Sequence, residues 1–142
     1  MLIQFYHLPK TLDKEILTEV ITHFVELSKA SIIRLVYNFV SGEELLQMNK
    51  THLQHNYETD ILTFDYGSNT QIEAEVYISR KAIQEALARF RQTTENESVR
   101  LIAHGLFHCL GQKDKTLAEK MEMKALEEAF IKTFHVKQEQ NV

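Results

Sequence analysis

DILTFDYGSNTQIEAEVYIS, residues 60–79, is the stretch whose reading decides the fold. Asp60–Tyr66 and Ile72–Ile78 are two strand-like runs rich in β-branched and aromatic residues. Between them, Gly67-Ser68-Asn69-Thr70 supplies the turn chemistry of a β-hairpin. Working outward, Ile32–Val40 (IIRLVYNFV) reads as a third strand and Leu2–Tyr6 as a fourth. Helices fill the intervals. From Lys10 to about Ser28, Leu12, Ile16, Leu17, Val20, Ile21, Phe24 and Val25 recur with helical period. Ser41 and Glu44 form the spacing of a capping box that opens a helix through about Leu53. Ser79 caps a helix running to about Arg91, and the polar Gln92–Glu97 segment reads as a surface loop. Ser98 then opens an apolar helix, VRLIAHGLFHCL, which Gly111 ends by accepting a left-handed conformation. A last amphipathic helix starts near Thr116 and runs to about Phe134, with the tail KQEQNV read as frayed. The expected class is α+β: one domain over residues 1–142, with a mixed four-stranded sheet packed on about five helices.

Bulk properties narrow the function. The apolar and charged fractions, 44% and 25%, suit a globular protein and argue against disorder. A net charge of −4 argues against coating nucleic acid by charge alone. Arg80, Lys81, Arg89, Arg91 and Arg100 cluster in sequence, but read as a solvated helix face rather than an RNA-binding patch. The single cysteine, Cys109, forms no internal disulfide, which fits a reducing cytosol. MLIQFYHLPK lacks the layout of a signal peptide, and no window approaches a membrane span of roughly 20 apolar residues. The expected location is therefore the cytoplasm.

The chemistry concentrates in His104-Gly-Leu-Phe-His108-Cys-Leu-Gly111-Gln-Lys-Asp114. Histidines at i and i+4 sit one above the other on a helix, so both imidazoles can face one ion. Such pairs also occur as hydrogen-bonded core residues. Here a helix-ending glycine follows, and Asp114 can turn back toward the pair, which favours a metal. Three protein ligands would leave a position for water, as in catalytic sites. Gly105 stands where the HExxH helix carries its glutamate base, so that peptidase class is disfavoured. The glycine reads as a place of close approach, by the sheet, a neighbouring element or substrate.

This motif resembles that of the YbeY family of bacterial metal-dependent endoribonucleases, His-Gly-x-x-His-x-x-Gly-x-x-His. Two further segments agree in order and spacing. Asn49-Lys50, Tyr57 and Thr59-Asp60-Ile61-Leu62-Thr63-Phe64 are similar to the family's Asn…Thr-Asp-Val-Leu-Ser-Phe. Glu75-Val76-Tyr77-Ile78-Ser79 resembles the strand Gly-Asp-Ile-x-Ile-Ser. The resemblance spans roughly residues 40–130 and implies zinc on His104 and His108, with Asp114 at the third-ligand position. It further implies single-strand-specific cleavage in ribosomal RNA maturation at the small-subunit 3′ end, and ribosome quality control. The implied partners are ribosomal RNA, the small ribosomal subunit and ribosome-associated proteins, with no DNA or membrane. Asp60 becomes a candidate catalytic residue through the resemblance alone.

Three positions depart from the family pattern. Asp114 replaces a third histidine, and a two-histidine, one-carboxylate set also suits iron or manganese. Leu53 stands where the family has an arginine, removing an obvious phosphate clamp; His52, Lys113 and Lys115 could compensate, although each reads first as a solvated surface residue. Ala74-Glu75 replaces Gly-Asp. Phe64, Tyr66 and Tyr77 lie in strands and read as core rather than stacking platforms. His55 and His52 lie in a polar segment near the cleft and read as surface residues, and His7, His23 and His135 have no context suggesting a site. Two other classes stay open: a ribosome assembly factor with a structural metal, and a metallohydrolase of another substrate.

Overall fold

The computed structural model describes residues 1–53, 58–90 and 92–140. His55, Tyr57 and Arg91, singled out above, lie outside the described residues. The chain runs β1 (Leu2–Tyr6), α1 (Lys14–Leu27), β2 (Ser31–Val40), α2 (Gly42–Leu53), β3 (Ile61–Asp65) and β4 (Gln71–Ser79). α3 (Arg80–Phe90), α4 (Thr94–Cys109) and α5 (Leu117–Gln140) follow. The strands form one mixed sheet in the order β1-β2-β4-β3, with β1, β2 and β4 parallel and β3 antiparallel to β4. This is the α+β architecture that the hairpin and helical periods imply.

Alternation along the central strands assigns the two faces of the sheet. Leu35, Tyr37 and Phe39 of β2 and Ile72, Ala74, Val76 and Ile78 of β4 enter the main core with α1, α4 and α5. The opposite face is smaller: Val40 and Leu62 pack with Leu45 of α2, flanked by Met48, Phe64 and Tyr77. Phe64 and Tyr77 are thus packed as expected, whereas Tyr66 is exposed. Inside the main core, the Tyr37 hydroxyl donates to the Ile102 carbonyl at 3.0 Å, tying the sheet to α4. Burial holds that hydroxyl well above its usual pKa, so it stays a donor.

Several boundaries differ from the sequence reading, each for a local reason. α1 begins at Lys14 rather than Lys10, because Asp13 caps it by accepting from the amides of Glu15 (2.8 Å) and Ile16 (3.3 Å). Thr93, not Ser98, caps α4, its hydroxyl accepting from the Asn96 amide at 3.0 Å. The polar segment read as a loop is therefore helical from Thr94, and Glu97 and Ser98 are buried. α5 runs on to Gln140 instead of ending near Phe134. Beyond that point the His135 ring contacts Asn96 Oδ1 of α4 at 2.8 Å, and Lys137 reaches Glu19 of α1 at 3.7 Å.

The end of α4 does follow the sequence. Gly111 takes φ +100°, its amide donates to the His108 carbonyl, and the Gln112 amide donates to the Phe107 carbonyl. These paired bonds are those of a Schellman cap. A Cβ on Gly111 would also stand 2.8 Å from Asn69 Nδ2 of the β3–β4 turn. Gly111→Ala is expected to destabilise the protein by about 1–3 kcal/mol, from strain at positive φ alone. Urea denaturation of both proteins checks this, and equal midpoints would contradict it.

Candidate metal centre

Glu97, Arg100, His104 and His108 follow one another at spacings of three and four along α4, so they line one flank of the helix. The other flank lies on the sheet. Gly105 permits this: a Cβ there would stand 3.0 Å from Val76 Cγ1 and 3.3 Å from Ile61 Cδ1. Of the purposes weighed for this glycine, close approach to the sheet is the one observed.

His104 and His108 are each held from behind. His108 Nδ1 lies 2.9 Å from the Gln112 carbonyl oxygen, which can only accept, so Nδ1 carries the hydrogen. His104 Nδ1 lies 2.6 Å from Glu127 Oε2, the corresponding arrangement with a carboxylate. In its neutral form each ring therefore turns a lone pair on Nε2 inward. The two Nε2 atoms are 3.0 Å apart. Asp114 Oδ2 completes the triangle, 3.4 Å from His104 Nε2 and 3.3 Å from His108 Nε2. With no hydrogen on either Nε2, three lone-pair donors this close are brought together favourably by a cation between them. Ligands 2.0–2.1 Å from a tetrahedral ion stand about 3.3 Å apart, so the donor set fits a transition metal. Among the described residues, these three form the group able to hold a metal ion.

The Schellman cap builds this triangle. By reversing the chain at Gly111 it sets the Gln112 carbonyl on His108 and brings Asp114 over both rings. A depression of about 330 Å³ opens beside the group, lined by Asn69, His108, Lys113, Asp114 and Lys115. Lys113 and Lys115 are exposed there, as a solvated role requires.

Asp60 is not brought to the triangle. Its carboxylate lies 3.7 Å from Arg100 Nη2, and its carbonyl accepts from the Ser79 amide at 3.0 Å. His52 is exposed and packs its ring edge-on to Phe64. The basic stretch breaks up: Arg80 donates to the Phe39 carbonyl at 2.6 Å, and Lys81 pairs with Glu58 at 2.8 Å. Arg80, Lys81 and Arg89 nevertheless keep the exposed positions read for them, whereas Arg100 is partly buried. It binds Glu97 through two nitrogens, at 2.7 and 2.8 Å, and Glu127 at 3.3 Å. The Glu97 hydrogen bonds, more than its other neighbours, hold the guanidinium well above its ordinary pKa against the opposing effect of burial.

Glu127 is the site residue that sequence reasoning missed. A signal existed: Met123, Glu127, Phe130 and Phe134 share the buried stripe of α5, and a carboxylate in that stripe needs partners. His7 and His23 lie away from the site, and His135 serves the α4–α5 contact.

An α+β domain whose helix presents two orientation-locked imidazoles, with a carboxylate returned to them just past the helix end, defines the class: a candidate metalloenzyme. The family model described as Endoribonuclease YbeY matches residues 4–135. Relatives bearing that name include one from Cytophaga hutchinsonii, 44% identical over 104 residues, covering 72% of this chain and 73% of that protein. Another, from Chlorobium phaeobacteroides, is 30% identical over 135 residues, covering 94% and 95%. In fold, the chain is similar to the solution structure of TM1509 from Thermotoga maritima, with a TM-score of 0.70 at 19% identity, covering 99% and 93% of the two chains. The chain belongs to the YbeY endoribonuclease family. No helix of the described residues is long and apolar enough to cross a membrane.

Cys109, one residue after the second histidine, takes no part. Burial, with a smaller contribution from Asp65, pushes its thiol from 9.0 up to about 12. The folded state thus holds the thiol proton more tightly than the unfolded chain. That stabilisation is fully present below pH 9 and is lost as pH climbs toward 12. Iodoacetamide at pH 8 is expected to label Cys109 only after denaturation; rapid labelling of the native protein would contradict the buried thiol.

Proposed function

We propose that this protein is a metal-dependent endoribonuclease that cuts single-stranded RNA in ribosomal RNA precursors, at the small-subunit 3′ end. One zinc ion on His104, His108 and Asp114 is the proposed cofactor, and the cytoplasm the proposed location. The observation that carries the reading is the convergence of two locked Nε2 lone pairs and one carboxylate oxygen within 3.4 Å of one another. Family membership supplies the reaction class.

When bound, such an ion supplies Lewis acidity toward a phosphodiester and brings the pKa of a water toward neutrality. The chain's own contribution is placement. Glu127 and the Gln112 carbonyl fix the two imidazoles, and the cap at Gly111 fixes Asp114. The depression beside His108 and Asp114 gives an RNA strand room, and Lys113 and Lys115 on its rim offer cations to the flanking phosphates. With the family arginine replaced by Leu53, these lysines take over part of that duty in our reading. Asp60 is assigned no chemical step, since its carboxylate faces Arg100 rather than the triangle. The acidic balance of the chain implies weak affinity for naked RNA, so specificity comes from the small subunit or its proteins.

Elemental analysis of the wild type beside His108→Ala and Asp114→Ala, coupled to cleavage of single-stranded and duplex RNA, tests the reading. The wild type is expected to carry about one equivalent of zinc and to cut the single strand in preference to the duplex. Both variants should lose the metal and the cleavage. Cleavage that survives a chelator and both substitutions would overturn it.

A further inference from the structure

Behind the triangle lies a chain of charged side chains of which the chemistry above uses only the contact of Glu127 with His104. Glu97 and Glu127 are both buried, on different helices, and Arg100 stands between them. Glu127 divides its two oxygens: Oε1 accepts from Arg100 Nη1 at 3.3 Å, while Oε2 faces His104 Nδ1 at 2.6 Å. Glu97 uses both oxygens on the same guanidinium. Asp60, at the start of the β3 hairpin, approaches the outer side of Arg100 at 3.7 Å. His104 is therefore linked through two shared residues to α5, the first turns of α4 and β3.

We propose that Glu127 and Arg100 are positioning residues that set the affinity of the centre for its metal. Glu127 selects the ligating tautomer of His104, and Arg100 acts through Glu127. The inference rests on the reading of His104, His108 and Asp114 as ligands. The stereochemistry gives it content. Glu127 meets its two donors through two different oxygens, one on each side of the carboxylate. A glutamine there has one oxygen. If that oxygen turns to Arg100, the amide N–H₂ meets His104 Nδ1, making it an acceptor and leaving the hydrogen on Nε2, where it blocks the metal. If the oxygen turns to His104, the amide meets the guanidinium, donor against donor. Either way, Glu127→Gln keeps the shape and loses the arrangement. Arg100→Lys keeps the charge but loses the planar fork that holds Glu97 and reaches Glu127 together.

The test titrates zinc against a chromophoric chelator with wild type, Glu127→Gln, Arg100→Lys, the double variant, and Glu128→Gln as an exposed neighbour on α5. Far-ultraviolet circular dichroism and thermal melting of the metal-free proteins report folding separately. The expected loss for Glu127→Gln is about 10–100-fold in zinc affinity, the range for groups that orient a metal-bound histidine. Arg100→Lys is expected to lose less, Glu128→Gln nothing, and the double variant no more than Glu127→Gln alone. Binding by Glu127→Gln equal to wild type overturns the positioning role. Losses that multiply in the double variant overturn the claim that Arg100 acts through Glu127. Should Glu127→Gln fail to fold, Arg100→Lys beside Glu127→Asp decides: unchanged affinity in both overturns the inference. A wild type that binds no zinc at all overturns the ligand assignment itself, and the inference with it.

Discussion

The close approach of α4 to the sheet is the constraint from which the rest of the site follows. Gly105 lets the helix backbone come against Val76 and Ile61, closer than a side chain would permit. The Tyr37 hydroxyl then reaches the Ile102 carbonyl one turn back. With that flank committed to the core, the residues on the other flank have a fixed direction in space. Glu97, Arg100, His104 and His108 share it, and the geometry of the site is inherited from how the helix lies. A glycine inside a helix costs roughly 1 kcal/mol against alanine. Here the tight helix–sheet packing it permits offsets that cost.

Polar groups on a half-buried flank need partners on every side, and the protein supplies them from three directions. The capped end of α4 gives a carbonyl to His108, and α5 gives Glu127 to His104 and Arg100. The inner turns of α4 give Glu97 to Arg100, with Asp60 at the outer edge. Burying two carboxylates beside one guanidinium is a costly arrangement, and apolar residues of similar volume would often be as stable or more so. Its presence beside two imidazoles is better understood as orientation than as stability. Ligands that cannot turn lose little entropy when an ion arrives, which is the general advantage of preorganisation.

The positions read from the sequence as departures from the family's motif take on physical meaning in this frame. Asp114 reaches the Nε2 atoms of both histidines because the Schellman cap decides where the chain returns. A charged donor therefore occupies a position set by backbone geometry. Glu75, read from the motif as replacing an aspartate, pairs with Arg34 of the neighbouring strand at 3.2 Å.

Much of this was legible in the residues themselves. The hairpin around Gly67, the capping box at Ser41, the stop at Gly111 and the pair His104 and His108 are local features, written in spacings of two, three and four residues. Local spacing and turn chemistry are what a sequence displays directly. Asp114 was legible for the same reason, since only a helix stop separates it from the pair. The helix through Thr94–Glu97 was not, because its polar residues resemble a loop until Glu97 finds Arg100 and the core finds Ser98. The last turns of α5 were hidden likewise, their partners lying on α1 and on the start of α4. Glu127 stands 23 residues from His104, and Asp60 is 40 positions from Arg100. The sequence by itself determined the fold class and the identities of the inward-facing donors, because these depend on local period and on backbone stops. Tertiary structure alone decided which carboxylate stands behind which histidine, and that Asp60 meets Arg100 instead of the triangle. Such pairings depend on how separate helices and strands pack, which no local spacing encodes.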